Sequence, residues 1–159
     1  MAEEKTNVMR VLDQKKVPYI PHSYPHGDTA PDGVTVARLT GVPQEQVFKT
    51  LVTEAASGKF YVFVIPVARS LDLKAAAKAV GEKSISMLPQ AKLLPLTGYV
   101  HGGCSPIGMK KALPTWVDES AQALDLMAVS AGKVGVQVQL APADLQKLTR
   151  ARFAPVTTE

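Results

Sequence analysis

Cysteine occurs once in the 159 residues, at Cys104, and a single cysteine rules out a disulfide within the chain. Free thiols without disulfides are typical of a reducing compartment. No apolar run approaches the ~18 residues that a membrane-spanning helix needs. The chain begins with a polar segment of mixed charge, MAEEKTNVMR, unlike a secretory signal peptide. We therefore expect a cytoplasmic protein with no membrane partner.

Aromatic side chains are scarce as well, at 6% of the chain, and they are not interleaved with the basic clusters as in a stacking surface for single-stranded nucleic acid. The Walker loop, the dinucleotide-binding glycine motif and the Gly-x-Ser-x-Gly elbow of hydrolases are all missing. No Ser/His/Asp arrangement is recognisable. The net charge of +4 permits a polyanionic partner without requiring one.

Hydrophobic residues make up 46% and charged residues 20% of the chain, which is typical of one globular domain, here spanning residues 1–159. Apolar periodicity and turn residues predict the secondary structure, with a hairpin at Ser57-Gly58. The predicted helices cover residues 6–18, 34–41, 70–82, 89–96 and 142–153, and the predicted strands cover 19–24, 47–55, 59–67, 83–88, 113–118, 124–132 and 134–140. Because no regular strand–helix–strand repeat emerges, we expect an α+β fold with a mixed, strongly curved sheet.

The segment 98–111, GYVHGGCSPIGMKK, is the most unusual part of the sequence. A glycine pair such as Gly102-Gly103 lets backbone N–H groups converge on an anion or on a developing oxyanion. The same residues are also compatible with an ordinary turn between strands. Two lysines, Lys110 and Lys111, follow the loop directly. The residues alone leave both interpretations open.

Cys104 lies three residues after His101, and a thiolate nucleophile needs a nearby base or cation. No cysteine-protease signature surrounds the pair. His22 and His26 could join them around zinc, but both spacings are weak metal signals, and the first pair flanks a proline instead of lying on a helix. We expect neither a metal nor a cofactor.

Lys49 interrupts the apolar strand VFKTLV. A lysine avoids such a position unless it is paired, protects a sheet edge or extends its ammonium to water. A lysine that serves a ligand is the functional alternative. Thr50, the next residue, points to the opposite face of the predicted strand.

Five segments, taken in order, resemble the YbaK/EbsC-type Cys-tRNA(Pro) deacylases of the prolyl-tRNA synthetase editing-domain superfamily. They are HSY (22–24), VFKTLV (47–52), LDLKAAAKAVG (71–81), TGYVHGGCSPIGMKKALPTWVD (97–118) and VSAGKVGVQVQLAPADL (129–145). The resemblance implies a barrel-like sheet with surrounding helices and a cleft for the aminoacylated 3′ end of tRNA(Pro). It also implies trans-editing, which is removal of a wrongly attached cysteine, with Cys-tRNA(Cys) as a further substrate and prolyl-tRNA synthetase as a further partner.

The resemblance also implies roles for individual residues. The catalytic residues it implies are Lys49, Gly102 and Gly103. The substrate-binding residues it implies are Tyr24, Thr50, His22, Ser105, Pro106, Ser130, Gly132 and Lys133, and the tRNA contacts are Lys110 and Lys111. With cysteinyl-tRNA the substrate's own thiol can attack the ester, so the enzyme has only to orient the ester and stabilise the oxyanion.

Three positions depart from the family's pattern. The loop after Tyr24 contains no phenylalanine, Gln137 replaces an acidic or small residue, and Cys104 occupies an aliphatic position, which favours a packing role for Cys104 and leaves His101 without a counterpart. Two alternatives stay open beside the cysteine-specific deacylase. One is an Ala-tRNA(Pro) deacylase of the same superfamily, and the other is a non-catalytic module that binds tRNA or a synthetase.

Overall fold

The computed structural model describes residues 5–158, which form five α-helices and ten strands. The helices are α1 (Asn7–Gln14), α2 (Gly33–Thr40), α3 (Leu73–Val80), α4 (Gln90–Thr97) and α5 (Pro142–Thr149). The strands are β1 (Ile20–Ser23), β2 (Phe48–Ala55), β3 (Phe60–Pro66), β4 (Ser70–Leu71), β5 (Ile85–Met87), β6 (Thr115–Asp118), β7 (Met127–Ser130), β8 (Val136–Leu140), β9 (Arg152–Ala154) and β10 (Thr157–Thr158). Short 3-10 turns cover Gln44–Gln46 and Glu119–Ala123.

The strands pair in three sheets. The larger sheet has the order β5-β2-β3-β6-β9, in which β2 is antiparallel to β3 and β5, and β6 is parallel to β3 and β9. The three-stranded sheet, β1-β8-β7, is antiparallel, and β4 pairs with β10. The predicted α+β class and mixed pairing are therefore confirmed. A closed barrel is not found among residues 5–158 and stays a prediction.

The larger sheet and the three-stranded sheet meet at one edge of β2. Val47, just before β2, forms a parallel bridge with Ala128 of β7. Beside this bridge, Gln139 Nε2 donates a hydrogen bond of 2.8 Å to Gln46 Oε1. From this junction the two sheets diverge, because on this side of β2 the pairing with β5 begins only at Thr53.

The core lies on both faces of β3, whose residues 61–66 are all buried. One face packs with both sheets against α1, through side chains such as Leu12, Val64 and Val138. The opposite face packs against α3 through Phe63, Ile65 and others. A strand buried on both faces is expected to be a continuous apolar run, as residues 60–65 are.

Capping residues explain where α2 begins and ends. Asp32 Oδ1 accepts a hydrogen bond of 2.7 Å from the Thr35 N–H, an N-cap that satisfies a free donor of the first turn. Gly41 ends the helix with a φ of 76°, which glycine adopts without steric cost. Gly33 lies against Val67, where a larger residue would collide with that side chain. This contact fixes the start of α2 beside the end of β3.

The predicted last helix is too long. Arg150 adopts a φ of 57° and ends α5, and residues 152–154 instead form β9, which pairs with β6. Arg152, inside the predicted helix range 142–153, lies in β9 instead, because strand pairing overrides helical propensity there. Among the helices described, none combines the length and apolar character needed to cross a lipid bilayer.

Candidate functional site

A cleft of ≈ 440 Å³ opens where the larger and the three-stranded sheets diverge. The start of α2 forms one wall and the Gly-rich loop 98–111 another, while β2 and the ends of β7 and β8 line the remaining sides. Five predicted site residues lie on its surface, namely Tyr24, Lys49, Thr50, Gly102 and Ser130. The fold therefore joins residues from four separate parts of the chain in one concave site.

The open edge of β2 carries Lys49 and Thr50 into the cleft. Residues 48–51 pair with β3 on one side only, and all four line the cleft. The Lys49 side chain is half-buried and forms no ion pair with any residue between 5 and 158. An ammonium group held in a partly apolar cleft without a counter-ion is suited to bind an anionic or strongly polar ligand.

Two buried polar atoms in the cleft wall have no hydrogen-bond partner. They are Thr50 Oγ1 on β2 and Gln137 Oε1 on β8, and Gln137 is only 7% exposed. Leaving a buried polar atom unpaired costs about 1–3 kcal/mol, so such atoms are rare in native proteins. Both atoms belong to residues that line the cleft, so a small side-chain rotation would bring them to a ligand with polar groups.

A second glutamine on the same strand differs from Gln137 because its polar atoms have partners in the protein. Gln139, two residues after Gln137, is 8% exposed but is fully engaged. Its Oε1 lies 2.8 Å from His22 Nε2, and its Nε2 donates to Gln46 Oε1. Residues two apart on a strand share one face of the sheet, so this face has one glutamine bound within the protein and one left for a ligand.

The Gly-rich loop places Gly102 and Gly103 in different environments. Gly102 is exposed, lines the cleft and has a φ of 86°, and its N–H donates to no other residue between 5 and 158. The Gly103 N–H donates to the Val100 carbonyl oxygen at 3.0 Å, and Gly103 is buried. Of the two glycines, Gly102 alone lines the cleft and has an N–H without an acceptor in the described residues.

Gly103 instead allows two loops to pack backbone to backbone. A Cβ atom at this position would lie 3.0 Å from the Val134 nitrogen and 3.2 Å from the Lys133 carbonyl carbon. The second loop, residues 131–135, connects β7 to β8, and its Gly135 carbonyl oxygen accepts from the Tyr24 N–H at 2.9 Å. The loop 131–135 therefore contacts both Tyr24 and the Gly-rich loop.

Cys104 is a buried core residue with a protonated thiol. It is 8% exposed and belongs to the main core cluster, although it also touches the cleft. Burial raises the pKa of the Cys104 thiol to about 12, so almost no thiolate exists near neutrality. Since nucleophilic attack requires the thiolate, the structure argues against a nucleophile at Cys104 and supports the expected packing role.

The histidines do not build a metal centre. Among residues 5–158 there is no group of three or more His, Cys, Asp or Glu side chains arranged to hold a metal ion. His101 lines the cleft and is exposed, whereas His26 Nδ1 lies 3.0 Å from the Gly27 carbonyl oxygen. His22 is engaged with Gln139 and does not line the cleft.

The remaining predicted residues lie outside the cleft surface. Ser105 is fully buried and accepts a hydrogen bond of 3.2 Å from the Ile107 N–H, so it stabilises the turn that contains Pro106. Gly132 donates to Ser130 Oγ at 3.2 Å, and Lys133 is exposed. Lys110 and Lys111 are exposed and form no ion pairs within the described residues. Their contacts with substrate or tRNA stay predictions.

The family match covers every lining residue of this cleft except Tyr24. Residues 27–148 match the aminoacyl-tRNA editing domain. The chain belongs to this family. This editing-domain protein is also similar, over nearly its whole length, to a protein of Enterococcus faecalis (strain ATCC 700802 / V583). That relative is named "Putative Cys-tRNA(Pro)/Cys-tRNA(Cys) deacylase EbsC", and the two are 44% identical over 157 residues, 99% of this chain and 96% of the relative.

Solved structures share the fold of this editing-domain protein at low identity. The crystal structure of "a putative trans-editing enzyme for prolyl tRNA synthetase" matches with a TM-score of 0.83 at 23% identity, covering 99% of this chain and 100% of the other. The crystal structure of a hypothetical protein matches with a TM-score of 0.85 at 21% identity, covering 96% and 100%. The family resemblance expected from the sequence is confirmed.

Sequence reasoning missed part of the cleft. Asp32 and Gly33 at the start of α2 line it, but in the sequence they belong to an ordinary loop. Gln137 was noted only as a departure from the family pattern. Its period-two strand, VGVQVQL, signals two polar residues on one face, yet only the structure distinguishes the satisfied Gln139 from the unsatisfied Gln137.

Proposed function

We propose that this editing-domain protein is a trans-acting aminoacyl-tRNA deacylase that removes cysteine from mischarged tRNA(Pro), and from tRNA(Cys) as a further substrate. Family membership and the 44% identical relative support the enzyme class. The whole chain acts as one editing domain in this proposal. It needs no metal or cofactor, because the chemistry rests on the substrate and the groups in the cleft.

The observation that carries the proposal is the set of unsatisfied groups in one cleft. These are the Lys49 ammonium, the Gly102 N–H, and the buried oxygens Thr50 Oγ1 and Gln137 Oε1. An aminoacyl ester of adenosine offers a carbonyl oxygen, an α-ammonium group, a ribose hydroxyl and a phosphate. Each unsatisfied group in the cleft therefore has a complementary group on this substrate.

The cleft's residues have distinct roles in the proposed reaction. Lys49 anchors the terminal nucleotide and polarises the ester, and the Gly102 N–H stabilises the oxyanion that forms at the carbonyl. Gly103 donates within the loop, so it supports the loop instead of donating to the oxyanion. Tyr24 and Ser130 shape the pocket for the amino acid.

The substrate supplies the nucleophile. The cysteinyl sulfur attacks its own ester carbonyl, the carbon–oxygen bond to the ribose breaks, and the ribose oxygen takes up the proton that the thiol releases. The product is a cyclic thioester that water then opens. The buried, protonated Cys104 of the protein takes no part in this reaction.

A second candidate is hydrolysis of alanyl-tRNA(Pro), which needs a water nucleophile because alanine has no thiol. Thr50 Oγ1 and Gln137 Oε1 have no partner within the described residues and are the groups we assign to orient that water. Such a water would replace the missing thiol as the nucleophile.

Deacylation of a panel of mischarged tRNA(Pro) species separates the two candidates. Cysteinyl-tRNA(Pro) is cleaved under the proposal, while the S-alkylated cysteinyl ester and the alanyl ester survive. Seryl-tRNA(Pro) is much slower, because a hydroxyl is a far weaker nucleophile than a thiol. Equal rates for the alanyl and cysteinyl esters would establish the water mechanism instead.

Lys49→Ala serves as the active-site control in this panel. Loss of the anchor is expected to lower kcat/KM by about two orders of magnitude or more with the fold retained. Lys49→Arg is expected to be poor too, since a planar guanidinium does not replace a compact ammonium. If both variants kept the normal rate, the site would be misassigned.

A further inference from the structure

A second, open cavity of ≈ 340 Å³ is lined by one side of α2, here called its outer side, and by the residues that follow the helix. Its apolar surface comes from Val34, Ala37 and Val42, and its polar surface from Arg38 and Gln44. Val34 also lines the cleft and is 44% exposed. The two cavities therefore share one exposed side chain, and a ligand that fills the cleft could continue along Val34 into the second cavity.

Two polar side chains of this second cavity make no hydrogen bond or ion pair within residues 5–158, although the pKa of Asp32, lowered mainly by hydrogen bonds to its carboxylate, is lowered further by the charge of one of them, Arg38. Arg38 and Gln44 are both exposed, and neither side chain makes a hydrogen bond or an ion pair with another residue between 5 and 158. Two lysines elsewhere, Lys5 and Lys92, do have ion-pair partners. Arg38 is thus an available cation beside an aliphatic surface and an available amide.

A nucleotide has the chemistry that matches this surface. Its phosphate can accept a bidentate pair of hydrogen bonds from a guanidinium, its base can lie against aliphatic side chains or an arginine plane, and its base edge can bond a glutamine amide. The substrate of the proposed function continues from the terminal adenosine into one further nucleotide at the mouth of the cleft. Arg38 is the basic residue that lines the adjoining cavity.

We propose that the cavity formed by Val34, Arg38 and Gln44 binds the penultimate nucleotide of the tRNA 3′ end, with Arg38 contacting its phosphate. This inference rests on the proposed function for the identity of the substrate. It assigns α2 a second role, because one end of the helix borders the ester site and its outer side holds the next nucleotide. The competing path leaves the cleft on the side of the Gly-rich loop, toward Lys110 and Lys111.

Binding of stable amide-linked analogues tests the cavity without requiring catalysis. The probes are the 5′-phosphate of 3′-aminoacylamido-adenosine and the same compound extended by one nucleotide that carries its own 5′-phosphate. We expect the extended probe to bind wild type about tenfold more tightly, as one charge-assisted contact implies, and Arg38→Gln to abolish this gain. The shorter probe is expected to bind both proteins equally. Arg10→Gln is the charge-matched control, since Arg10 is exposed on α1 and lines neither cavity.

The outcomes distinguish the inference from the proposed function. Loss of the gain in Arg38→Gln but not in Arg10→Gln supports the nucleotide site, whether or not any ester is cleaved. An equal gain in both variants overturns it, as does a gain that disappears only in Lys110→Gln/Lys111→Gln. Absence of any gain in wild type overturns it too. Failure to cleave any mischarged tRNA would contradict the proposed deacylase function, and this result is independent of the binding measurements.

Discussion

At the residue scale, the cleft depends on side chains whose polar atoms the fold leaves unsatisfied. Gln137 and Gln139 have almost the same exposure, and they differ only in whether the protein supplies their partners. Both glutamine side chains are buried, but only Gln139 has hydrogen-bond partners in the protein. We therefore interpret Gln137 as a ligand-binding residue and Gln139 as a structural one. This distinction leads to a paired prediction.

Gln137→Leu is expected to leave the free energy of unfolding unchanged or slightly higher, because the substitution removes an unpaired buried oxygen. Its deacylase kcat/KM is expected to fall at least tenfold. Gln139→Leu is expected to lower the free energy of unfolding by about 1–3 kcal/mol, because His22 and Gln46 lose their partner. Urea unfolding and deacylation rates of both variants test this pair. A stability loss in Gln137→Leu as large as in Gln139→Leu would show that Gln137 is structural.

The buried thiol gives a prediction about alkaline stability. The pKa of Cys104 is about 12 in the folded protein against 9.0 as its ordinary value. A raised pKa of an acid means that the folded state holds the proton more tightly, so the stabilisation is complete below pH 9 and is lost as pH rises toward 12. Between pH 8 and pH 10 the wild type should lose about 1.4 kcal/mol more than Cys104→Ala.

Denaturant unfolding at the two pH values measures this difference, and deacylation at neutral pH provides the companion measurement. Cys104→Ala should keep its activity, because the thiol is protonated and packed in the core. Parallel stability losses in the two proteins would mean that the thiol titrates normally. An inactive but folded Cys104→Ala would restore the nucleophile interpretation.

At the element scale, the position of the Gly-rich loop depends on close contacts that leave no room for a side chain at Gly102. Gly102 has a φ of 86°, and a Cβ atom there would collide with Ala30 in the loop before α2. The loop and the start of α2 therefore approach each other across the cleft only because position 102 is glycine. Both strain and collision oppose any substitution.

Gly102→Ala is expected to destabilise the protein by about 1–2 kcal/mol from the left-handed φ alone and to abolish most activity by displacing the oxyanion donor. Adding Ala30→Gly removes the collision but not the φ strain, so the double variant should regain part of the lost stability. Thermal unfolding and deacylation of the single and double variants provide the measurement. No recovery in the double variant would mean that the Ala30 contact is irrelevant.

The elements themselves were largely predictable because their signals are local. Helix starts follow capping residues such as Thr6 and Asp72, and the β2–β3 hairpin follows from Ser57-Gly58. The strand β9 was not predictable, since its pairing with β6 depends on residues more than thirty positions away. The positions of Lys49 and Gly102 followed from the family pattern. Gln137 and the cavity beside Arg38 depend on which partners the fold supplies, and sequence spacing carries no such information.

At the scale of the whole molecule, the protein has few basic side chains that could neutralise tRNA phosphates. The net charge is only +4, and the unpaired basic side chains near the cleft are few, with Lys49 inside it, Arg38 beside it and Lys110-Lys111 after the Gly-rich loop. A protein that contacts few phosphates binds tRNA weakly. Editing after release from a synthetase is compatible with such weak binding, because the substrate has to leave again after cleavage.

The salt dependence of binding to uncharged tRNA(Pro) measures how many phosphates are neutralised. Each contact contributes ~0.7–0.9 to the slope of log affinity against log salt, so the four basic residues named above predict a slope of about 3. Lys110→Glu/Lys111→Glu is expected to reduce the slope by about 1.4–1.8, whereas Arg10→Glu, with a cation on α1 outside both cavities, should barely change it. Fluorescence anisotropy between low and moderate salt gives both slopes. An affinity independent of salt would place tRNA recognition in a bound synthetase, and the basic residues around this cleft would then have no role in holding the substrate.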